Sequence, residues 1–160
     1  MMKPRIEILK EKKLIGYHLM MSLTQNKTGQ LWSQFGPKIK DITNRVSEDK
    51  ISLQIYPPLY YHKFNPETEF EKWATVEVTD FLEIPVGMKS LTLQEGLYAV
   101  FNYQGSSSDT SIYQYIFGEW LPNSAYQMDD RPHFEVLGKK YTNNDPSSEE
   151  EIWIPVKEKS

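Results

Sequence analysis

Glu135 is the side chain whose surroundings in the sequence best support ligand chemistry. It lies in the short extended segment Phe134-Glu135-Val136-Leu137, directly after an aromatic residue. A partly desolvated carboxylate without a partner is costly and tends to take up a proton. A delocalised cation beside it restores the charge balance, so Glu135 is a candidate site for a cationic ligand. The simpler interpretation is an ordinary surface glutamate on a strand.

Two tryptophans are candidates for stacking on such a ligand. The segments Trp73-Ala74-Thr75-Val76-Glu77-Val78 and Ile152-Trp153-Ile154-Pro155-Val156 alternate as half-buried strands do. If their aliphatic side chains meet the helices, Trp73 and Trp153 face the other way. Each stacked indole would add about 0.5 to 2 kcal/mol to cation binding. Alternatively, both rings bury that face against a loop or a partner.

The same alternation assigns a face to Glu135. If Phe134 and Val136 pack towards the helices, Glu135 and His133 lie on the opposite side of the sheet, together with the two indoles. We also expect Tyr56 there. An uncovered sheet face would not normally display so many aromatic rings, and this predicts an aromatic cleft around one acid.

Further residues are weaker candidates. Phe101 and Tyr103 are possible ligand contacts, although a register slip of one residue reverses their faces. His133 either tunes Glu135 or is a rim residue. We expect the core to contain Trp32, Trp120 and Tyr98, and the run Glu149-Glu150-Glu151 to be solvated.

The elements that position these residues occur twice. Each half of the chain has the order strand, helix, strand, strand, which gives repeat one at about 4–79, a linker at 80–90 and repeat two at about 91–157. Ser52 to Tyr56 can be laid over His133 to Leu137, and Trp73 to Val78 over Glu151 to Val156. The predicted fold is one α+β domain over residues 1–160. It has an antiparallel sheet with two helices on one side and the ligand cleft on the other.

Composition excludes several classes of function. The 160 residues contain no cysteine and carry a net charge of −4 without a concentrated basic run. Thiol chemistry, disulfides and direct contact with nucleic acid are therefore not expected. Neither a metal-binding spacing nor a cofactor motif is present. Without a signal peptide or a membrane-spanning stretch, we expect a cytoplasmic protein that does not bind membranes.

An ordered set of segments resembles the GyrI-like effector-binding domain family, which also forms the drug-sensing half of some AraC-type transcription activators. The resemblance covers nearly the whole chain, and the segments that carry it are Leu14-Ile15-Gly16, Leu31-Trp32-Ser33-Gln34-Phe35, Gly96-Leu97-Tyr98-Ala99-Val100-Phe101, Trp120-Leu121-Pro122-Asn123-Ser124, Pro132-His133-Phe134-Glu135 and Ile152-Trp153-Ile154-Pro155-Val156.

The resemblance implies a pair of β-α-β-β units about a pseudo-twofold axis with a ligand cleft between them. Members commonly bind lipophilic aromatic cations through an acid that follows an aromatic residue, which here is Glu135 after Phe134. Gln54 stands at the equivalent place in the first repeat, so one carboxylate is expected. The chain has no room for a DNA-binding domain and would be a standalone multidrug-binding protein. The family also implies two alternatives to ligand binding. One is hydrolysis of electrophilic aromatic natural products, with Glu135 as general base and Tyr56 or Tyr103 as acid; because these residue types are common, binding is favoured. The other is a protein partner such as DNA gyrase.

Overall fold

A computed structural model describes residues 2–160 as an antiparallel sheet with helical segments on one side, and the expected α+β class is confirmed. The strands are β1 (Arg5–Leu9), β2 (Lys12–Met21), β3 (Lys50–Ile55), β4 (Phe70–Val78), β5 (Lys89–Leu93), β6 (Gly96–Gln104), β7 (Tyr126–Met128), β8 (His133–Leu137) and β9 (Glu149–Glu158).

Two helical segments cross this sheet. Helix α1 (Thr28–Phe35) continues into a 3-10 turn (Gly36–Asp41). Pro37 is its second residue, where the fixed φ of proline suits a first helical turn. The second segment is α2 (Ser111–Tyr115), a π-helical turn (Ile116–Trp120) and α3 (Leu121–Asn123). In the part of the chain that the structure describes, no helix is both long and apolar enough to cross a membrane.

The strand order is β1-β6-β9-β8-β3-β4-β2-β5, and β7 pairs with the end of β9. This order has the same form from either end, if β1 is matched with β5, β6 with β2, β9 with β4 and β8 with β3. Each half therefore carries an additional edge strand that pairs with the other half: β1 with β6, and β5 with β2. β5 starts at Lys89, inside the segment expected to link the repeats.

The strand registers place one row of side chains on the side of the helices, which we call the helix side. Directly opposed residues in an antiparallel sheet point to the same face. Successive pairs from β4 across to β6 make this row Ala74, Ser52, Glu135, Ile152 and Phe101. The neighbouring row, Trp73, Leu53, Phe134, Trp153 and Val100, points to the opposite face, which we call the far side.

The helices cover the two ends of the helix side and leave its centre between them. Leu31 and Phe35 of α1 are buried in a cluster with side chains of β2 and β4, including Val76. Ile112 and Ile116 of the second segment are buried in a separate cluster with side chains of β6 and β9. Because β3 and β8 lie between these strand pairs in the sheet, their helix-side residues occupy the gap between the two clusters.

The far side carries its own hydrophobic core. Trp73 and Trp153 are 5% and 9% exposed there, among buried side chains that include Leu53, Phe134 and Tyr98. Their expected face is confirmed, since neither indole belongs to the clusters under the helices. However, both are core residues, and Trp153 also lines a groove of about 370 Å³ on the far side, with residues that include Phe134 and Glu151.

The expectation that Glu135 shares their face is wrong. Glu135 pairs with Ser52 and Ile152 on the helix side, whereas Phe134 and Val136 contact the far-side core. His133 lies on the helix side too, because it is two positions from Glu135 on the same strand. The cause is that β8 is a central strand with both faces covered, so an apolar Phe134 does not indicate which face meets the helices.

Candidate ligand site between the two helical segments

The centre of the helix side, over β3 and β8, is the candidate functional site, and we call it the central site. Its polar side chains are Gln54, Lys72, Glu135 and Glu150. Four polar residues of this part of the sheet are buried, and these are Ser52, Gln54, Lys72 and His133. A buried polar cluster between two apolar clusters is costly unless its members satisfy one another, and this makes it a candidate for function.

Glu135 has two polar neighbours in the central site. Its Oε1 accepts a hydrogen bond of 2.9 Å from Nε2 of Gln54. Nζ of Lys72 lies 3.9 Å from the same oxygen, and the Lys72 and Glu135 side chains are 7% and 12% exposed. At this distance the two charges attract each other without a direct hydrogen bond. The expected acid is therefore present, and it already has a cation beside it.

Burial opposes the charge on both members of this pair. It lowers the pKa of Lys72, although the Glu135 and Glu150 carboxylates act in the opposite direction. It raises the pKa of Glu135, although Lys72 and the Gln54 amide favour the ionised form. Both pKa shifts mean that keeping Lys72 and Glu135 charged in the central site costs desolvation free energy. A ligand whose own charge offsets this cost gains binding energy.

Glu150 is a second carboxylate in this region. It precedes Ile152 by two positions on β9, so its side chain is on the helix side, and Tyr103 is its Cα partner on β6. Burial raises the pKa of Glu150 to about 7, and the negative charge of Glu135 contributes to this shift. The expectation that the Glu149 to Glu151 run is solvated is thus wrong for Glu150. Counting back in twos from Ile152 would have found it.

Aromatic rings lie beside Glu135. Tyr56 follows β3, and its ring centroid is 5.0 Å from that of His133. Tyr61, in the loop between β3 and β4, stacks on Phe117 at 4.7 Å and on His133 at 5.6 Å. A loop of the first half therefore contacts the helical segment of the second half across the central site. We call Tyr56, Tyr61, Phe117 and His133 the aromatic cluster.

The ionisable members of this cluster are held neutral. Burial raises the pKa of Tyr56, of Tyr61 and of Tyr113 on α2, and in each case the Glu135 carboxylate contributes. Burial lowers the pKa of His133 to about 3, with a smaller contribution from the positive charge of Arg131. Neutral phenol and imidazole rings offer π faces and hydrogen-bonding groups beside two carboxylates, which suits recognition of a planar cation.

The other predicted contacts have different surroundings. Phe101 is fully buried in the cluster under α2. Tyr103 belongs to the same cluster, and its hydroxyl donates to the carbonyl oxygen of Ser106 at 2.9 Å. The structure thus brings Glu135, Tyr56 and His133 together, and keeps Trp73 and Trp153 on the far side. A ligand contact by any of these residues stays a prediction.

Besides Glu150, the site residues Lys72, Tyr61, Phe117 and Tyr113 were not expected from the sequence. Lys72 alternates with Trp73 on β4 and could have been assigned to the face of Ala74 by periodicity. Tyr61 and Tyr113 carry no such signal, because a loop has no period and a short helical segment does not fix which ring reaches a neighbouring strand.

An open groove adjoins the central site. It has a volume of about 550 Å³, runs along the ends of β6 and β8 and the start of β9, and is lined by residues that include Tyr103, Lys140 and Glu150. Pockets that bind drug-sized ligands have volumes of roughly 300 to 1,000 Å³. Glu150 therefore connects the buried carboxylate of Glu135 with a solvent-accessible space of suitable size.

Known proteins are similar to this chain over most of its length. The model of the integron-associated effector-binding protein family, Cass2, matches residues 5–156. The transcriptional regulator BrlR of Pseudomonas aeruginosa is 24% identical over 145 residues, which cover 89% of this chain and 51% of the regulator. This chain thus spans about half the length of that relative.

Two solved structures share the fold. SAV2435 bound to tetraphenylphosphonium has a TM-score of 0.71 at 19% identity, over 98% of this chain and 94% of that one. The integron cassette protein VCH_CASS2 from the mobile metagenome of Vibrio cholerae has a TM-score of 0.67 at 14% identity, over 97% and 96%. At these identities the likeness concerns the fold.

Proposed function

The chain belongs to the integron-associated effector-binding protein family, within the GyrI-like group, and we propose that it binds bulky lipophilic aromatic cations at the central site. The observation that carries this proposal is the buried Glu135 carboxylate with neutral aromatic rings beside it. SAV2435, which has the same fold, was solved with a lipophilic aromatic cation, and this supports the ligand class.

The proposed recognition has an electrostatic and an aromatic part. Glu135 and Glu150 supply negative charge in a region where solvent screening is weak. The rings of the aromatic cluster supply dispersion and cation–π contact, worth about 0.5 to 2 kcal/mol per well-placed ring. Because stacking and diffuse charge fix few orientations, such a site accepts a range of hydrophobic cations. Sensing or sequestration of toxic cations would follow from this breadth.

Calorimetric titration with tetraphenylphosphonium tests the proposal. We expect Glu135→Gln to raise the Kd by about tenfold to a hundredfold, since charge-assisted contacts contribute roughly 1.5 to 3 kcal/mol. The matched control is Glu77→Gln on β4, which removes a glutamate from the far side, where it pairs with Lys12. Triphenylphosphine oxide, a neutral aromatic analogue, should bind both variants equally. Equal cation affinities of wild type and Glu135→Gln would contradict the proposal.

Hydrolysis of electrophilic aromatic compounds is the second candidate. Tyr56 is close enough to Glu135 for its pKa to rise under the influence of that carboxylate, and Glu150 titrates near neutral pH, which suits a general base. Mass spectrometry of a strained aromatic electrophile after incubation distinguishes the two functions. Turnover that is lost in Glu135→Gln would support the enzyme, and unchanged compound would support the binding protein.

A further inference from the structure

The ammonium group of Lys72 lies beside Glu135, in the place that a cationic ligand of this carboxylate would occupy. On β4 its Cα partners are Leu19 of β2 and Gln54 of β3, so it lies deep within the sheet and not at an edge. Its side chain is 7% exposed, and Nζ approaches Oε1 of Glu135 to 3.9 Å. Gln54 donates to that same oxygen. The carboxylate is therefore already surrounded by groups that compensate its charge.

We propose that Lys72 is an internal counter-cation that competes with cationic ligands for Glu135 and thereby sets the affinity and specificity of the central site. This inference rests on the proposed function. It adds that the site is not a free carboxylate waiting for a ligand: an incoming cation has to replace one positive charge with another.

The replacement has a defined physical course. Two cations close to one buried carboxylate repel each other strongly, because the surroundings screen charge poorly. Loss of the Lys72 proton to solvent removes this repulsion, and the ammonium group becomes a neutral amine. Burial already lowers the pKa of Lys72, which reduces the cost of that step. A hydrophobic cation thus binds in exchange for a proton.

The direction in which cation affinity changes with pH follows from this loss of a proton. Because the complex holds fewer protons than the free protein, cation affinity increases with pH until Lys72 is neutral in the free protein too. The charged groups that face Lys72 are Glu135 of β8 and Glu150 of β9. The tyrosines that Glu135 influences (Tyr56, Tyr61 and Tyr113) and His133 remain neutral at pH 7 to 9, because burial raises the pKa of the phenols and lowers that of the imidazole. Glu150 titrates at about 7 and would produce a similar trend at lower pH, so its contribution has to be removed.

The test is titration of tetraphenylphosphonium between pH 7.5 and 9.5 in a Glu150→Gln background, with Lys72 present or replaced by Met. Met has a similar length and no charge. We expect Lys72→Met to bind about tenfold more tightly at pH 7.5, and the two affinities to converge as pH rises. Lys72→Arg, which keeps its charge throughout this range, should bind weakly at every pH. Lys12→Met, on the far side, is the matched control and should change nothing.

A second measurement needs no substitution of Lys72. Titrations of wild type at pH 8.5 in buffers of different ionisation enthalpy report the protons released on binding, and we expect a clear fractional release. Weaker binding by Lys72→Met, or binding without proton release, would overturn the inference. In that case cation binding that still depends on Glu135 leaves the proposed function intact. Absence of cation binding by every variant overturns both.

Discussion

The ammonium group of Lys72 lies 3.9 Å from Oε1 of Glu135, on the helix side of the sheet, and neither side chain is appreciably exposed. The two residues come from different halves of the chain, and β3 separates their strands in the sheet. A buried ion pair therefore joins the two halves of the chain at the centre of the domain, within the proposed ligand site.

The stability of this pair can be measured with a double-mutant cycle of Lys72→Met and Glu135→Gln. Each single variant leaves one buried charge without its partner, and we expect each to lose about 3 kcal/mol of unfolding free energy. The double variant should recover most of this loss, because no unpaired charge remains. Urea denaturation at pH 7.5 gives the four values. Additive losses in the double variant would show that the two charges do not interact.

The far-side tryptophans provide a second prediction. The indole Nε1 of Trp73 donates to Glu71 at 2.7 Å, and that of Trp153 donates to Glu151 at 3.1 Å. We expect Trp73→Phe to lower the unfolding free energy by about 1 to 2 kcal/mol, through reduced packing and loss of this hydrogen bond. Its affinity for tetraphenylphosphonium should equal that of wild type. A large loss of affinity in a folded variant would mean that the far side binds the ligand.

The same two tryptophans show how far the sequence determines the repeat. The structure pairs Leu53 with Trp73 and Phe134 with Trp153, so an overlay of Leu53 on Phe134 requires Trp73 to match Trp153. The overlay of Trp73 on Glu151 expected from the sequence differs from this by two residues, so the two overlays cannot both hold. A slip of two residues preserves the face, whereas a slip of one reverses it. The indoles were therefore assigned to the correct face despite this inconsistency between the two overlays.

The face of the sheet on which Glu135 lies could not be predicted from alternation along its strand. Alternation fixes which residues of one strand point together, but it does not say which set meets the helices. For Ala74 and Ile152 the aliphatic pattern was sufficient, and both lie beneath helical segments as expected. In β8 both faces are buried, and the decisive information is its pairing with β3 and β9, which a single sequence does not contain.

His133 leads to a prediction about acid stability. Its pKa is about 3 in the folded protein and 6.5 without burial, so the unfolded chain binds more protons between these values. Stability contributed by the neutral imidazole is present above pH 6.5 and is lost as pH falls towards 3. We expect wild type to lose roughly 1 to 2 kcal/mol more than His133→Phe between pH 7 and pH 5 in urea denaturation. Parallel pH profiles would show that His133 is not held neutral.

The contribution of Glu150 to stability depends on pH in the opposite direction to that of His133. Its pKa is raised from 4.5 to about 7 by burial and by the charge of Glu135, so the folded protein binds the extra proton in this range. The stability that belongs to the protonated carboxyl is present below pH 4.5 and is lost as pH rises through 7. Glu150→Gln mimics the protonated form at every pH. We expect this variant to be more stable than wild type by about 1 kcal/mol at pH 8, a value reduced for partial solvent screening, and equally stable at pH 4.5.

The control is Glu149→Gln, which changes the exposed neighbour that pairs loosely with Lys140, and it should show no gain in stability at either pH. A stabilising effect of Glu150→Gln that did not change between these pH values would mean that the residue does not titrate near neutrality. It would then be ionised beside Glu135 throughout this range, and Lys72 would have to compensate two carboxylates instead of one.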